Sequence, residues 1–267
     1  TYSAYNTKGK NHRMNINAST LPKPQTLLFN ADNLRLVGTL HLPRASYPPV
    51  IVGVHGLLSN RHSPKQIELA RCCCAQGLAY FRFDHRGRGD SDGRLEQDTS
   101  LASRCRDLAA ALEMLRKRDD LQPRMALFGS SMGGAVALAT AVQEKVVAVV
   151  TVAAPVNSQG IIECIDSLSP PAHIPPIFFE PRFQFDISPQ IDNIDHLLVF
   201  HGEKDEVVPL SHAYEIMARA RHPKRLVIHK GGDHRMSNRD QQEDFLDRAV
   251  TWFVHAFNPA TPNSLED

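Results

Sequence analysis

The stretch that decides the fold is MALFGSSMGG, residues 125–134. Its first four residues are apolar, as is typical of a buried strand, and residues 133–143 beyond it favour a helix. A serine on so tight a strand-to-helix turn adopts strained backbone geometry, and the flanking glycines remove side chains that would clash there. The turn holds the Ser131 hydroxyl out at the carboxyl edge of the sheet, which predicts a nucleophile.

Strand-like and helix-like segments alternate on both sides of this stretch. Apolar and β-branched runs predict strands at 27–29, 34–42, 50–54, 78–83, 125–128, 146–152, 197–200 and 226–228. Helical spacing of apolar residues predicts helices at 64–76, 101–118, 133–143, 211–221 and 240–257. This alternation indicates an α/β fold with a mostly parallel sheet and helices on both faces, and the first two strands supply an antiparallel edge.

Composition excludes several classes of protein. Among 267 residues, 30 Lys and Arg stand against 29 Asp and Glu, so the chain lacks the basic excess of a nucleic-acid binder. A hydrophobic content of 42% is enough for the core of one large domain. The longest apolar run, 146–156, is too short to span a bilayer. We therefore expect no nucleic-acid partner and no membrane span.

The cysteines bear on metal binding and location. Cys72, Cys73 and Cys74 are consecutive on a predicted helix, so they cannot form an ordinary disulfide set, and no Cys-x-x-Cys spacing suggests zinc. They are predicted to be free thiols in the core, which favours a reducing, cytoplasmic location. No other cluster has the spacing of metal ligands, and no motif implies a cofactor.

The predicted domain covers residues 26–257, between a polar arm at 1–25 that shows no signal-peptide pattern and a tail at 258–267. Residues 156–195 interrupt the alternation and hold six of the 18 prolines. This segment also carries four phenylalanines, which argue against disorder: Phe178, Phe179, Phe183 and Phe185. We predict a short cap over the carboxyl edge of the sheet; the alternative is an irregular loop that covers the core.

A serine nucleophile needs a base, and the base needs an acid. His234 follows the last predicted strand, so it lies at the same sheet edge as Ser131 and can take its proton. Asp205 follows the strand at 197–200 and is the predicted acid, with a surface carboxylate capping a turn as the alternative reading. The competing acids are Glu203, Glu206 and Asp233, of which Asp233 adjoins the histidine too closely to bond its ring.

Acyl transfer also requires donors to an oxyanion. The N–H of Met132, the residue after the nucleophile, is one candidate. The second is the N–H of Leu57, in the segment His55-Gly56-Leu57-Leu58 that follows the strand at 50–54. That segment could instead be a strand-end turn with no catalytic task.

A glycine-rich loop, Asp84-His85-Arg86-Gly87-Arg88-Gly89-Asp90-Ser91-Asp92-Gly93, follows the strand at 78–83. It lacks the Gly-Lys-Ser/Thr ending of a phosphate-binding P-loop and does not fit Gly-x-Gly-x-x-Gly. We interpret it as a structural loop at the mouth of the site rather than a nucleotide site.

These motifs together resemble the α/β-hydrolase superfamily over about residues 26–257. The chain is most similar to small-capped esterases, monoacylglycerol-lipase-like enzymes, feruloyl esterases and serine-aminopeptidase-like hydrolases. The resemblance implies an eight-stranded sheet, no cofactor, a triad of Ser131, Asp205 and His234, and oxyanion donors at Leu57 and Met132. Ser130 departs from the pattern, since many lipase-like relatives have histidine there, and the cap is shorter than in feruloyl esterases.

The sequence thus predicts a serine hydrolase that cleaves small carboxylic esters with an apolar or aromatic acyl group. A peptidase or a thioesterase would use the same triad, so both stay open. A non-catalytic ligand-binding member of the fold is the alternative from another class. Dehalogenases and epoxide hydrolases carry Asp at the position of Ser131 and are disfavoured.

Overall fold

The computed structural model describes residues 21–166 and 180–259, and an eight-stranded sheet runs through them. In chain order the strands are β1 Gln25–Ala31, β2 Leu34–His41, β3 Val50–Val54, β4 Ala79–Phe83, β5 Met125–Ser130, β6 Val149–Val152, β7 Leu197–Gly202 and β8 Lys224–His229. Their spatial order is β1-β2-β4-β3-β5-β6-β7-β8. β1 and β2 pair antiparallel with each other, as do β2 and β4, and all further pairs are parallel. The mostly parallel sheet with its antiparallel edge is confirmed.

Helices cover both faces of the sheet. They are α1 Pro64–Ala75, α2 Leu95–Asp98, α3 Leu101–Arg116, α4 Met132–Ala141, α5 Ser158–Asp166, α6 Ser188–Ile191, α7 Leu210–Arg219 and α8 Arg239–Phe257. Alternation along β3 divides the core, because Val50, Val52 and Val54 pack with α3, α4 and α7 while Ile51 packs with α1 and α8. None of the described helices is both long and apolar enough to cross a bilayer.

The observed boundaries differ from the predicted ones where polar residues enter an element. β8 begins at Lys224, two residues before the predicted strand, because the backbone of this edge strand already pairs with β7 from that residue on. β6 begins only at Val149, since Lys145 has a left-handed φ of 52° and turns the chain before the strand. The short helix α2 lacks buried residues and therefore left no apolar pattern to read.

The segment predicted as a cap is described in part. After α5 the structure describes a 3-10 turn at Pro181–Phe183 and then α6, whereas Phe178 and Phe179 lie outside the described residues. Phe183 is buried in the core cluster that contains α4 and α7. The cap itself stays a prediction, as do the arm and the tail at the two ends.

The predicted thiols on α1 have the expected environment. Cys72, Cys73 and Cys74 are free and buried, and burial raises the pKa of each thiol, for Cys74 to about 12. A raised pKa keeps these side chains neutral and unreactive at physiological pH, as expected of core residues.

Candidate active site

The turn between β5 and α4 holds Ser131 in a strained conformation. Its φ is 54° and its ψ is −127°, in a region that residues with a Cβ rarely adopt. Two glycines make the turn possible, because a Cβ on Gly129 would overlap the Gly133 carbonyl and a Cβ on Gly133 would overlap the Val54 carbonyl. The first turn of α4 begins directly after Ser131, so the positive end of that helix points at the hydroxyl.

His234 links the serine to a carboxylate. Its Nε2 lies 3.1 Å from Ser131 Oγ, and its Nδ1 lies 2.9 Å from each carboxylate oxygen of Asp205. Because a carboxylate can only accept, Nδ1 carries the proton and Nε2 presents its lone pair to the serine. The ring therefore has the tautomer that can take a proton from Oγ.

Each acid near the imidazole has its own partner. Asp205 is buried, and its Oδ1 accepts from the N–H groups of Val207 and Val208 at 2.9 and 2.8 Å. The competing carboxylates bond backbone instead: Glu206 accepts from the His234 N–H, Glu203 from Gly231 and Asp233 from Ser237. Among the four candidate acids, Asp205 alone contacts the ring within the described residues.

The two predicted oxyanion donors make no hydrogen bond within the described residues. No acceptor among residues 21–166 and 180–259 takes a hydrogen bond from the N–H of Leu57 or of Met132. The Leu57 loop lies against the nucleophile, since a Cβ built on Gly56 would be 3.5 Å from the Cβ of Ser131. Both N–H groups are thus available to a ligand beside Oγ.

A buried arginine on α3 braces the Leu57 loop. Arg104 is fully buried and donates to the carbonyls of Leu57 at 2.9 Å and His55 at 3.3 Å. Burial lowers the pKa of its guanidinium to about 9, so it stays charged at neutral pH. Sequence reasoning missed this residue, although an arginine on the apolar stripe between Leu101 and Leu108 is a detectable signal.

The glycine-rich loop at 84–93 braces the same segment from the other side. The His85 N–H donates to His55 Nε2 at 3.0 Å, while His55 Nδ1 donates to the Gly56 carbonyl at 2.7 Å. Arg88 donates to the carbonyls of Leu58 and Ser59. None of the loop's residues lines the cavity described next, so it supports the site without forming its wall.

A cavity of about 890 Å³ opens at Ser131 and His234 and extends between α1 and α8. Its apolar lining comes from Leu57, Leu58, Phe128, Ile161, Val207, Phe245 and Leu246. Neither Phe183 nor Phe185, described members of the predicted cap, is part of this lining. No three His, Cys, Asp or Glu side chains of the described ranges are arranged to hold a metal ion. The arrangement can accommodate a substrate of moderate size and present its carbonyl to Oγ.

The chain is similar in sequence to several hydrolases. The family model of serine aminopeptidase, S33, matches residues 46–170, a span that includes the Leu57 loop and Ser131. Uncharacterized protein Rv2307c of Mycobacterium tuberculosis is 32% identical over 225 residues, which cover 81% of this chain and 74% of that protein. The mitochondrial palmitoyl-protein thioesterase ABHD10 of Mus musculus is 28% identical over 237 residues, which cover 78% of each chain.

A similar fold occurs in solved structures. The esterase domain of a Rhodothermus marinus protein matches with a TM-score of 0.64 and 25% sequence identity. The match covers 86% of this chain and 97% of that domain. The likeness thus extends over most of the chain, not only over one motif.

Proposed function

Because the chain belongs to the α/β-hydrolase superfamily, in its branch of esterases and serine aminopeptidases, we propose that this hydrolase is a serine carboxylic-ester hydrolase. The observation that carries the proposal is the line of contacts from Asp205 through His234 to Ser131, at 2.9 and 3.1 Å. A serine hydroxyl becomes a nucleophile only with such a base beside it. Ser131, Asp205 and His234 are therefore the proposed catalytic residues.

The first half of the proposed reaction forms an acyl-enzyme. Ser131 Oγ attacks the ester carbonyl as its proton passes to His234 Nε2, and the carbonyl oxygen becomes an oxyanion. The N–H groups of Leu57 and Met132 donate to that oxyanion. The intermediate collapses when the C–O bond to the alcohol breaks and the imidazolium returns its proton to the departing oxygen.

The second half regenerates the enzyme with the same groups. His234 takes a proton from a water molecule, whose oxygen attacks the acyl carbonyl bound to Ser131. The C–O bond to Ser131 Oγ then breaks, the imidazolium returns its proton to Oγ, and the carboxylic acid leaves. Asp205 holds the ring in place and stabilises the imidazolium in both halves. The products are a carboxylic acid and an alcohol, and no cofactor takes part in these steps.

The apolar lining of the cavity supports a small-molecule ester with an apolar or aromatic acyl group as the partner. A thioester is the second candidate, because a relative with 28% identity is named a palmitoyl-protein thioesterase. Comparing an acyl thioester with the matching oxygen ester distinguishes the two. The cytoplasmic location stays a prediction, and the mouse relative is named mitochondrial.

The decisive experiment is hydrolysis of p-nitrophenyl butyrate by the Ser131→Ala variant. Removing the nucleophile is expected to lower kcat by a factor on the order of 10⁴ to 10⁶. Ser237→Ala is the matched control, since this exposed serine lies in the same loop as His234 without contacting the ring, and its activity is expected to equal that of the unsubstituted protein.

Equal, slow hydrolysis by the protein and its Ser131→Ala variant would contradict the proposal. A fluorophosphonate probe then distinguishes an enzyme from a non-catalytic ligand-binding protein of the same fold. Covalent labelling at Ser131 supports the enzyme, whereas saturable ligand binding without labelling supports a non-catalytic member of the fold.

A further inference from the structure

The amino end of α1 forms one wall of the cavity beside Ser131. Ser63, Pro64, Lys65 and Gln66 all line it. The Ser63 side chain makes no capping hydrogen bond, and the first turn carries no acidic residue. No acceptor in the described part of the chain takes the Lys65 N–H. A helix of 12 residues with an uncapped amino end presents partial positive charge to this space.

Gln66 supplies a second and independent observation. Its side chain is 1% exposed, and neither its amide nitrogen nor its amide oxygen has a hydrogen-bond partner within the described residues. Leaving a buried polar group unpaired is destabilising. Gly53 on β3 makes room for this amide, because a Cβ there would overlap Gln66 Oε1. Because Gln66 is one of the residues that line the cavity, its amide has hydrogen-bonding capacity left for a polar group bound there.

The charges of the lining point to the sign of that ligand. Lys65 and the exposed Arg235 form no ion pair with any described carboxylate. Of the two acidic residues of the lining, Glu68 is ion-paired with Arg71 at 3.0 Å, and Glu206 is held by the His234 N–H at 3.0 Å. The wall therefore carries a partly buried ammonium without an ion-pair partner among the described residues, and the carboxylates of Asp233 and Asp205 offset its charge only in part.

Lys65 keeps this charge at neutral pH. Burial lowers the pKa of its ammonium to about 8, and the carboxylates of Asp233 and Asp205 oppose that shift. The side chain lies near these acids without pairing with either. An ammonium that is partly desolvated binds an anion more strongly than an exposed one does.

We propose that the amino end of α1 is a carboxylate-binding subsite, formed by the ammonium and N–H of Lys65, the Ser63 hydroxyl and the Gln66 amide. It selects esters that carry a free carboxylate away from the bond that is cleaved. The proposal rests on the ester-hydrolase function proposed above and names the substrate class of that site. Phe128, Phe245 and Leu246 cover the apolar part of such a substrate.

The test compares esters with and without a negative charge, and the first pair also has matched shapes. The p-nitrophenyl monoester of glutaric acid carries a carboxylate, and p-nitrophenyl 5-methylhexanoate replaces that group by an isopropyl group. A second pair, 3-carboxy-4-nitrophenyl butyrate and 4-nitrophenyl butyrate, places the charge on the alcohol side. The pair with the larger ratio of kcat/KM, charged over neutral, identifies the part of the substrate that carries the carboxylate.

Lys65→Met removes the charge and keeps most of the volume of the side chain. We expect the charged-to-neutral ratio of kcat/KM to fall about tenfold to a hundredfold, which corresponds to one charge-assisted hydrogen bond. Lys117→Met is the matched control, because that lysine is exposed directly after α3, and its ratio is expected to stay unchanged. An unchanged ratio in Lys65→Met overturns the proposal, as does a protein that prefers the neutral ester in both pairs.

Binding of glutarate tests the subsite without catalysis. Calorimetry on the Ser131→Ala variant is expected to show glutarate binding that weakens at least tenfold when Lys65→Met is added. Equal binding by the two variants, or none by either, overturns the subsite. Activity toward the neutral esters reports separately on the ester-hydrolase function, so the two failures are distinguishable.

Discussion

At the scale of single residues, backbone hydrogen bonds distinguish the acid that contacts His234 from the other acids nearby. Glu203, Glu206 and Asp233 are all close in sequence to the proposed triad, but backbone N–H groups occupy them. Asp205 also accepts two backbone bonds, and it has a second oxygen left for His234 Nδ1. A carboxylate so held fixes the ring without itself moving.

The first prediction concerns this acid. Asp205→Asn keeps the shape of the side chain and turns its amide toward Nδ1, which favours the wrong tautomer of His234. We expect kcat for p-nitrophenyl butyrate to fall by a factor on the order of 10⁴. Asp233→Asn serves as the control and is expected to change kcat less than threefold. Similar losses in both variants would show that the acid is misassigned.

Residue type and position predicted the residues of the proposed triad, whereas the residues that support them are recognised by their burial. Ser131, Asp205 and His234 follow strands, so the sheet edge that they share could be inferred from the sequence. Arg104 donates buried hydrogen bonds to the Leu57 loop, which is distant in sequence, and the Gln66 amide lies against Gly53 of β3. Such contacts depend on how α1 and α3 pack on the sheet, and no local pattern encodes that packing.

At the scale of elements, the turn at Ser131 depends on close contact of α4 with three neighbouring strands, β3, β5 and β6. The amino end of α4 approaches β3 so closely that Gly133 lies against the Val54 carbonyl. A side chain at this position would separate the helix from the sheet. The approach also places the N–H of Met132 near the Leu57 loop, which follows β3.

The second prediction tests this contact. Replacing glycine by alanine inside a helix ordinarily stabilises it by about 1 kcal/mol. Gly133→Ala is expected to do the opposite and to lower the free energy of unfolding by about 2–3 kcal/mol, since backbone must move. Urea denaturation measures the change. Ala139→Gly in the same helix is the comparison, with an expected loss of about 1 kcal/mol; a stabilised Gly133→Ala protein would refute the argument.

Elements with a buried apolar face were predictable, and those without one were not. The run 50–54 reads as a strand because both of its faces are covered, and β3 has those bounds. β8 extends through Lys224 and Arg225, whose side chains are half-buried at the sheet edge. Backbone hydrogen bonds to β7 determine where β8 begins, and the types of its residues carry little information about this pairing.

At the scale of the whole molecule, several histidines are buried in their neutral form. Desolvation lowers the pKa of His41 and of His85 to about 4, and it holds the pKa of His55 well below its ordinary value. The pKa values of His201 and His212 are lowered for the same reason. These side chains remain uncharged in the folded protein at pH values where an unfolded histidine takes up a proton.

The third prediction is that acidification begins to destabilise the protein at a higher pH than protonation of its carboxylates alone would. Between about pH 6.5 and pH 4 the unfolded chain binds more protons than the folded one. The free energy of unfolding therefore decreases as the pH is lowered through this range. Each fully buried histidine contributes up to about 1.4 kcal/mol per pH unit, and partly exposed ones contribute less. Urea denaturation across pH 4.5 to 7.5 gives the slope.

A variant isolates one histidine in that slope. His41 Nε2 accepts from Arg82 Nε at 2.9 Å, and glutamine offers an oxygen for the same bond. His41→Gln is therefore expected to retain stability at pH 7.5 and to lose less of it than the unsubstituted protein on acidification. Identical slopes for the two proteins would show that protonation of His41 is not involved.

The proposed triad joins residues that are far apart in the order of synthesis. Ser131 and His234 are separated by 103 positions, and Asp205 precedes His234 by 29. A ribosome translates the proposed nucleophile long before the proposed base, so we expect each nascent chain to be inert toward esters while it grows. Appearance of hydrolysis with a fluorogenic ester would accordingly mark the moment at which the carboxyl-terminal part of the sheet docks.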